Sequence, residues 1–181
     1  MAAQLKTNDN FESEEKFTVL FNMYAKALKR KANSILRDNG WAEDAVQWTF
    51  MKLLRHMDRI DDPCSDRTRC YLYTILINNC YTILKKNNRY CLMDDYTMQV
   101  DFGTKLVGRD ESVEHVLCEE LLNDVRKIPE IYSNLMILHA VYNYSLQEIS
   151  SMLELKPATV RKRMQRGREM LAAIRDNYDK T

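Results

Sequence analysis

No apolar run in the sequence approaches the ~20 residues that span a bilayer. Glycine and proline are scarce, at 4 and 3 of 181 residues. That scarcity argues against a loop-rich β-barrel, a collagen-like chain and a low-complexity chain. The five cysteines, Cys64, Cys70, Cys80, Cys91 and Cys118, are odd in number and form no Cys-x-x-Cys pair. They are expected to be reduced thiols of a cytoplasmic protein. His56, His115 and His139 are scattered, and no local element offers a four-ligand set. Neither a metal nor another cofactor is expected. Residues 1–15 have no apolar core or cleavage-site pattern, so no signal peptide is expected. There is no nucleophile–base motif and no glycine-rich phosphate loop, so enzymatic activity is not expected. What the chain does have is length for one domain or two small ones, and 45% hydrophobic residues to build their cores.

Charge is balanced in total, with 27 basic and 26 acidic residues, but it is segregated along the chain. Lys16, Lys26, Lys29, Arg30, Lys31 and Arg37 run without an acidic residue among them. Residues 94–124 carry Asp94, Asp95, Asp101, Asp110, Glu111, Glu114, Glu119, Glu120 and Asp124 against Lys105 and Arg109. Residues 156–175 are basic again, with Lys156, Arg161, Lys162, Arg163, Arg166, Arg168 and Arg175 against Glu169. Two basic surfaces joined by an acidic link fit this pattern, as do solvated faces.

Apolar spacing predicts helices. Phe17, Leu20, Phe21, Tyr24, Leu28, Ile35 and Leu36 form one stripe, which Asp38-Asn39-Gly40 is expected to end. Ala42, Ala45, Val46, Thr49, Phe50, Leu53, Leu54 and Met57 form a second, opposite Glu43, Asp44, Gln47, Lys52 and Arg55. Asp58 to Thr68, with Asp61-Asp62-Pro63, is expected to be a loop. A third helix is expected over Arg69 to Lys86; its aromatic and β-branched residues leave a strand open, but length and neighbours favour helix. Residues 87–112 lack a period and are expected to be a mobile linker. Helical spacing resumes with Val113, Val116, Leu117, Leu121 and Val125, and Pro129 suits a helix start.

Near the end, Ser145-Leu146-Gln147-Glu148 is a capping box before Ile149, Met152 and Leu153. After Glu154-Leu155-Lys156, Pro157 opens a basic helix with Val160, Met164, Gly167 and Leu171 inside. This is the helix-turn-helix pattern, with an ordinary αα-hairpin as the alternative. The turn has no glycine, so a left-handed residue there would cost about 1 kcal/mol.

Ala42 to Leu53 resembles the region-two signature of bacterial RNA polymerase sigma factors of the extracytoplasmic-function type. Tyr71 to Asn78 looks like the promoter-recognition helix that follows it in that family. Ile128-Pro129-Glu130, Ser145 to Ile149 and Thr159 to Arg163 resemble region four, in the family's order. Thr82, Asn143, Ser150 and Glu154 depart from the family's usual Asp, Gly, Ala and Gly. The resemblance implies an all-α chain of two small helical domains, the second ending in a helix-turn-helix, joined by an acidic linker. The expected division is a disordered 1–15, a region-two-like domain over 16–86, a linker over 87–112 and a region-four-like domain over 113–181. It implies an alternative sigma factor whose partners are core RNA polymerase and promoter DNA, and it leaves room for an anti-sigma protein. The alternative is a helix-turn-helix regulator that does not engage polymerase.

Under this resemblance Glu43, Asp44, Gln47 and Lys52 become candidate polymerase contacts, and Trp48 is either a core-rim residue or an interface anchor. The loop before the third helix would face the minus-10 strand, with Arg67, Arg69, Lys85 and Lys86 toward phosphates. Tyr71 and Tyr73 either stack on an extruded base or lie in the core, and Asn78 bonds either a base or a buried backbone group. On the last helix Lys162, Gln165 and Arg166 face outward, flanked by Thr159 and Arg161, while Arg163 sits nearer the core edge. These six are the candidate minus-35 contacts.

Overall fold

The computed structural model describes residues 2–87 and 121–178, with side chains described over 14–87 and 121–176. The chain divides into two compact units, Met1–Tyr90 and Cys91–Thr181. Residues 88–120 lie outside the described residues; they take in the expected linker apart from Asn87, and with it Cys91, together with His115, Cys118 and the start of the expected second domain.

The first unit packs three helices, α1 (Ala2–Leu36), α2 (Asn39–Leu54) and α3 (Asp66–Lys86), with a 3₁₀ turn at Met57–Arg59. The helix α1 begins at Ala2, where residues 2–15 had been expected to be disordered. That stretch contains neither Gly nor Pro, the two residues that break a helix, and it runs directly into the amphipathic stripe that starts at Phe17. The break after α1 is also tighter than expected. Only Arg37 and Asp38 separate the helices, and Asp38, expected to end one, starts the next: its Oδ1 accepts from the Trp41 amide at 3.0 Å.

The core of this unit is Leu20, Leu28, Leu36, Ala45, Phe50, Leu53, Leu72, Ile75, Leu76 and Ile83. Each fully buried Leu or Ile contributes roughly 1.5–3 kcal/mol. Phe17, Phe21 and Phe50 add an aromatic cluster with centroids 5.0–6.2 Å apart. The third segment is a helix despite its strand-like composition. Its polar side chains bond the preceding turn: Thr74 Oγ1 donates to Cys70 O at 2.7 Å, Asn78 Nδ2 to Thr74 O at 2.8 Å and Thr82 Oγ1 to Asn78 O at 2.8 Å. It starts at Asp66, capped by Ser65, and not near Arg69. Buried Asn79 ties α3 to α2, its Nδ2 donating to Thr49 Oγ1 at 3.1 Å.

In the second unit a helical segment at 121–126 precedes α4 (Glu130–Ala140), α5 (Leu146–Leu153) and α6 (Pro157–Tyr178). Ile128, Leu135, Leu138, Ile149, Met152, Leu153, Val160 and Met164 form its core. The approach of α4 to α6 is close enough that a Cβ on Gly167 would stand 2.7 Å from Met136 Sδ and 3.4 Å from Tyr132 Cβ. No strand occurs among the described residues.

Candidate polymerase and promoter interfaces

The capping box that starts α5 is complete: Ser145 Oγ accepts from the Glu148 amide at 3.2 Å, and Glu148 Oε2 accepts from the Ser145 amide at 2.8 Å. Glu154 closes α5 in the left-handed conformation, φ 53° and ψ 40°. Its amide donates to Ser151 O and the Leu155 amide to Ser150 O, so a Schellman closure is built without glycine. Ser150 Oγ adds a bond to Leu155 O at 2.6 Å. Asn143, another position without the family's usual glycine, is also left-handed, with φ 57°. Pro157 then opens α6. The turn thus sets α6 with Val160, Met164 and Gly167 inward, and Arg161, Lys162, Gln165, Arg166 and Arg168 exposed. Thr159 and Arg163 are half-buried at the edge of that face. Gln165 Nε2 donates to Glu169 Oε1 at 2.9 Å, so its amide is held along the helix in the free protein. The outer face is a convex strip of cations on a long helix that follows a short turn, the geometry that places a helix in a major groove.

On α2 the residues opposite the core stripe are solvent-facing. Asp44 and Gln47 are exposed one turn apart, and Lys52 is half-buried. Glu43 is engaged within the unit, accepting from Lys29 Nζ at 2.7 Å and Asn39 Nδ2 at 3.3 Å. The Lys29 hydrogen bond and charge hold its carboxyl below the usual carboxylate range. Trp48 lies between core and solvent with Lys86 Nζ 5.6 Å from its ring centroid. Beside these stand apolar residues that periodicity had assigned inward. Phe21 and Leu54 are 46% and 51% exposed, and Met51 on the same helix face is 55% exposed. The covered stripe is narrower than the apolar arc: among the described residues α2 packs against α1 and α3, and Leu54 and Met51 stand outside the face that these two helices cover. The signal available in the sequence was the width of the apolar arc, which exceeds the roughly 100° stripe that a surface helix usually turns to its core.

At the start of α3, Arg67 pairs with Asp61 at 3.6 Å, and Arg69 is half-buried beside it. Two candidates leave the promoter-facing set. Tyr71 is fully buried, so the core alternative holds for it. Asn78 is 5% exposed and donates to Thr74 O, which is the buried-backbone alternative. Helical phase explains both, because each stands on the side of α3 that meets the core. Tyr73, two residues from Tyr71, is half-buried. Lys85 and Lys86 are exposed in the last turn, where cations suit the helix dipole. Among the described residues no His, Cys, Asp or Glu cluster could hold a metal ion, and no helix is long and apolar enough to cross a membrane.

One all-helical unit with an exposed polar and apolar helix face, and another with a cation-lined helix-turn-helix, fit the class of DNA-binding transcription proteins. The comparisons with known proteins are more specific. Residues 20–90 match the model of sigma-70 region 2, and residues 118–171 match that of sigma-70 region 4. The RNA polymerase sigma factor CarQ of Myxococcus xanthus is 24% identical over 162 residues, covering 90% of each chain. The RNA polymerase sigma factor SigV of Bacillus subtilis is 25% identical over 142 residues, covering 78% of this chain and 80% of its own. A solved structure of the sigma factor RpoE with the anti-sigma factor NepR, from Bartonella quintana, is 21% identical with a TM-score of 0.40, covering 92% of this chain and 97% of its own. The two region models together take in well over half of the chain, which belongs to the sigma-70 family of RNA polymerase sigma factors, of the extracytoplasmic-function type.

Proposed function

We propose that this protein is an alternative sigma factor that binds core RNA polymerase and directs it to specific promoters. The observation that carries the reading is the presence of both family regions, in order, on one chain. Neither region alone would suffice: region four by itself is a helix-turn-helix, and the region-two unit disfavours a regulator that ignores polymerase. The protein acts by binding energy, which places the polymerase and favours strand separation, and has no enzymatic activity of its own. It works in the cytoplasm, where its partners are. An anti-sigma protein is a further partner consistent with the family.

Exposure and charge of the two outer faces support the following site roles. Asp44, Gln47 and Lys52 on α2, with Trp48 at their edge, form the polar part of the polymerase-facing surface, and Phe21, Met51 and Leu54 form its apolar part. Glu43 contributes through its pair with Lys29. The turn before α3 faces the minus-10 strand; Arg67, Arg69, Lys85 and Lys86 meet phosphates, and Tyr73 offers the stacking face that buried Tyr71 does not. On α6, Lys162, Gln165 and Arg166 meet base edges or phosphates of the minus-35 element, flanked by Thr159, Arg161 and Arg163. Residues 16–86 and 113–181 serve as the two DNA-engaging domains, with 87–112 as their connection.

Run-off transcription with core polymerase and a pool of random promoters tests the reading. Wild-type protein should select a defined promoter class. Asp44→Arg should weaken core binding with folding intact, because the side chain is exposed. Retained DNA selection without any association with core polymerase would favour the regulator instead.

A further inference from the structure

The turn between the 3₁₀ segment and α3 is held by two sets of bonds. One set is internal. Asp62 Oδ1 accepts from the Cys64 amide at 2.8 Å, and Asp62 O accepts from Ser65 Oγ at 2.9 Å and from Thr68 Oγ1 at 2.7 Å. These bonds fix the turn to the first turn of α3. The other set comes from α1, some forty residues away in sequence. Lys16 Nζ donates to Ile60 O at 3.1 Å, and Tyr24 Oη donates to Pro63 O at 2.9 Å. Lys16 and Tyr24 lie eight residues apart on α1, about 12 Å along the helix axis. They take hold of the carbonyls on either side of Asp61 and Asp62, and Asp61 in turn pairs with Arg67.

Carbonyls of a surface turn can be satisfied by water as well as by protein. Pro63 is partly exposed, so water could serve its carbonyl as well, whereas Ile60 is 2% exposed and its carbonyl relies on the Lys16 ammonium. What the two bonds add is a fixed position for the turn relative to α1. Tyr24 suits this task because it is buried and its hydroxyl reaches the Pro63 carbonyl. Burial, with the nearby Cys64, Asp66 and Asp62, pushes its phenol above the usual range against a smaller opposing effect from Arg69, so it remains a hydroxyl donor.

We propose that Lys16 and Tyr24 are positioning residues that hold the 60–65 turn in place for reading the minus-10 element. The inference rests on the reading that this turn faces the minus-10 strand. Phosphate attraction tolerates a shift of an ångström, whereas hydrogen-bond readout of a base requires placement within about 0.5 Å. Releasing the turn therefore lowers base discrimination more than affinity.

The test uses full-length protein with core polymerase and a DNA pool randomised across both promoter elements, sequenced before and after selection. Tyr24→Phe removes one hydroxyl and keeps the ring; Lys16→Met removes the ammonium at a half-buried position. In each, enrichment of the favoured over the disfavoured base should fall about fivefold, the scale of one net hydrogen bond, at one or two minus-10 positions. Minus-35 preferences and core affinity should stay unchanged, and Lys16→Arg should restore selectivity. Arg67→Ala and Arg69→Ala serve as controls. If both α1 variants keep wild-type minus-10 preferences while the arginine variants lose minus-10 binding, the positioning role is refuted and the minus-10 assignment stands. If the arginine variants leave minus-10 binding and preference intact, the assignment fails and takes the inference with it. Loss of minus-10 and minus-35 preference together, with a lowered melting temperature, would show that Lys16 and Tyr24 serve folding alone.

Discussion

Replacing Glu154 with glycine should stabilise the second unit. Glu154 holds φ 53° and ψ 40° at the end of α5. A residue with a Cβ in that region costs roughly 1–2 kcal/mol. Glycine removes that cost but makes the unfolded chain more flexible, which returns roughly 0.5–1 kcal/mol. The exposed glutamate's own contacts contribute little. The net expectation is a gain of about 0.5–1 kcal/mol, or roughly 2–8 °C in melting temperature for a unit of this size. The assay is thermal unfolding of the full chain by far-ultraviolet circular dichroism, beside tryptophan fluorescence. Both tryptophans, Trp41 and Trp48, belong to the first unit, so their transition is an internal control that should not move. Glu154→Ala keeps the Cβ and should gain nothing. The strain argument fails if Glu154→Gly is no more stable than wild type, or if Glu154→Ala gains as much.

Three further outcomes are expected. Asn79→Ala should destabilise the first unit by roughly 1–3 kcal/mol, through a lost bond to Thr49 and the void it leaves; a tryptophan-detected unfolding midpoint equal to wild type would contradict this. Brief alkylation of native protein near neutral pH should label exposed Cys64 and spare Cys70 and buried Cys80, as read by peptide mass mapping. Cys70 is partly exposed as a residue, but desolvation pushes its thiol up to about 12, so essentially no thiolate is present for attack. Lys162→Ala and Arg166→Ala should each cost about 1–3 kcal/mol at one promoter position if they read a base, or lower the salt slope by about one unit if they hold phosphate; no change in promoter choice, affinity or salt dependence in either would remove α6 from the DNA-reading role.

Much of the fold was legible because its signals are local. The capping box at Ser145–Glu148, Pro157 at a helix start and the spacing of Val160, Met164 and Gly167 each depend on residues within two helical turns. The same holds for the outward cations of α6, which follow once the inward stripe is known. That the turn lacks glycine was legible; that Glu154 takes the left-handed conformation there was not. The sequence alone thus determined the order of the helices and most of their extent, though not the start of α1 at Ala2 or of α3 at Asp66. Tertiary packing decided which residues of an apolar arc are covered: among the described residues Phe21 and Leu54 stay exposed at the edge of the packed faces, while Tyr71 and Asn78 are buried because α3 turns that side to the core. It also decided the attachment of the 60–65 turn to Lys16 and Tyr24. No periodicity encodes a bond between residues forty positions apart, since it exists only once α1 and α3 are packed side by side.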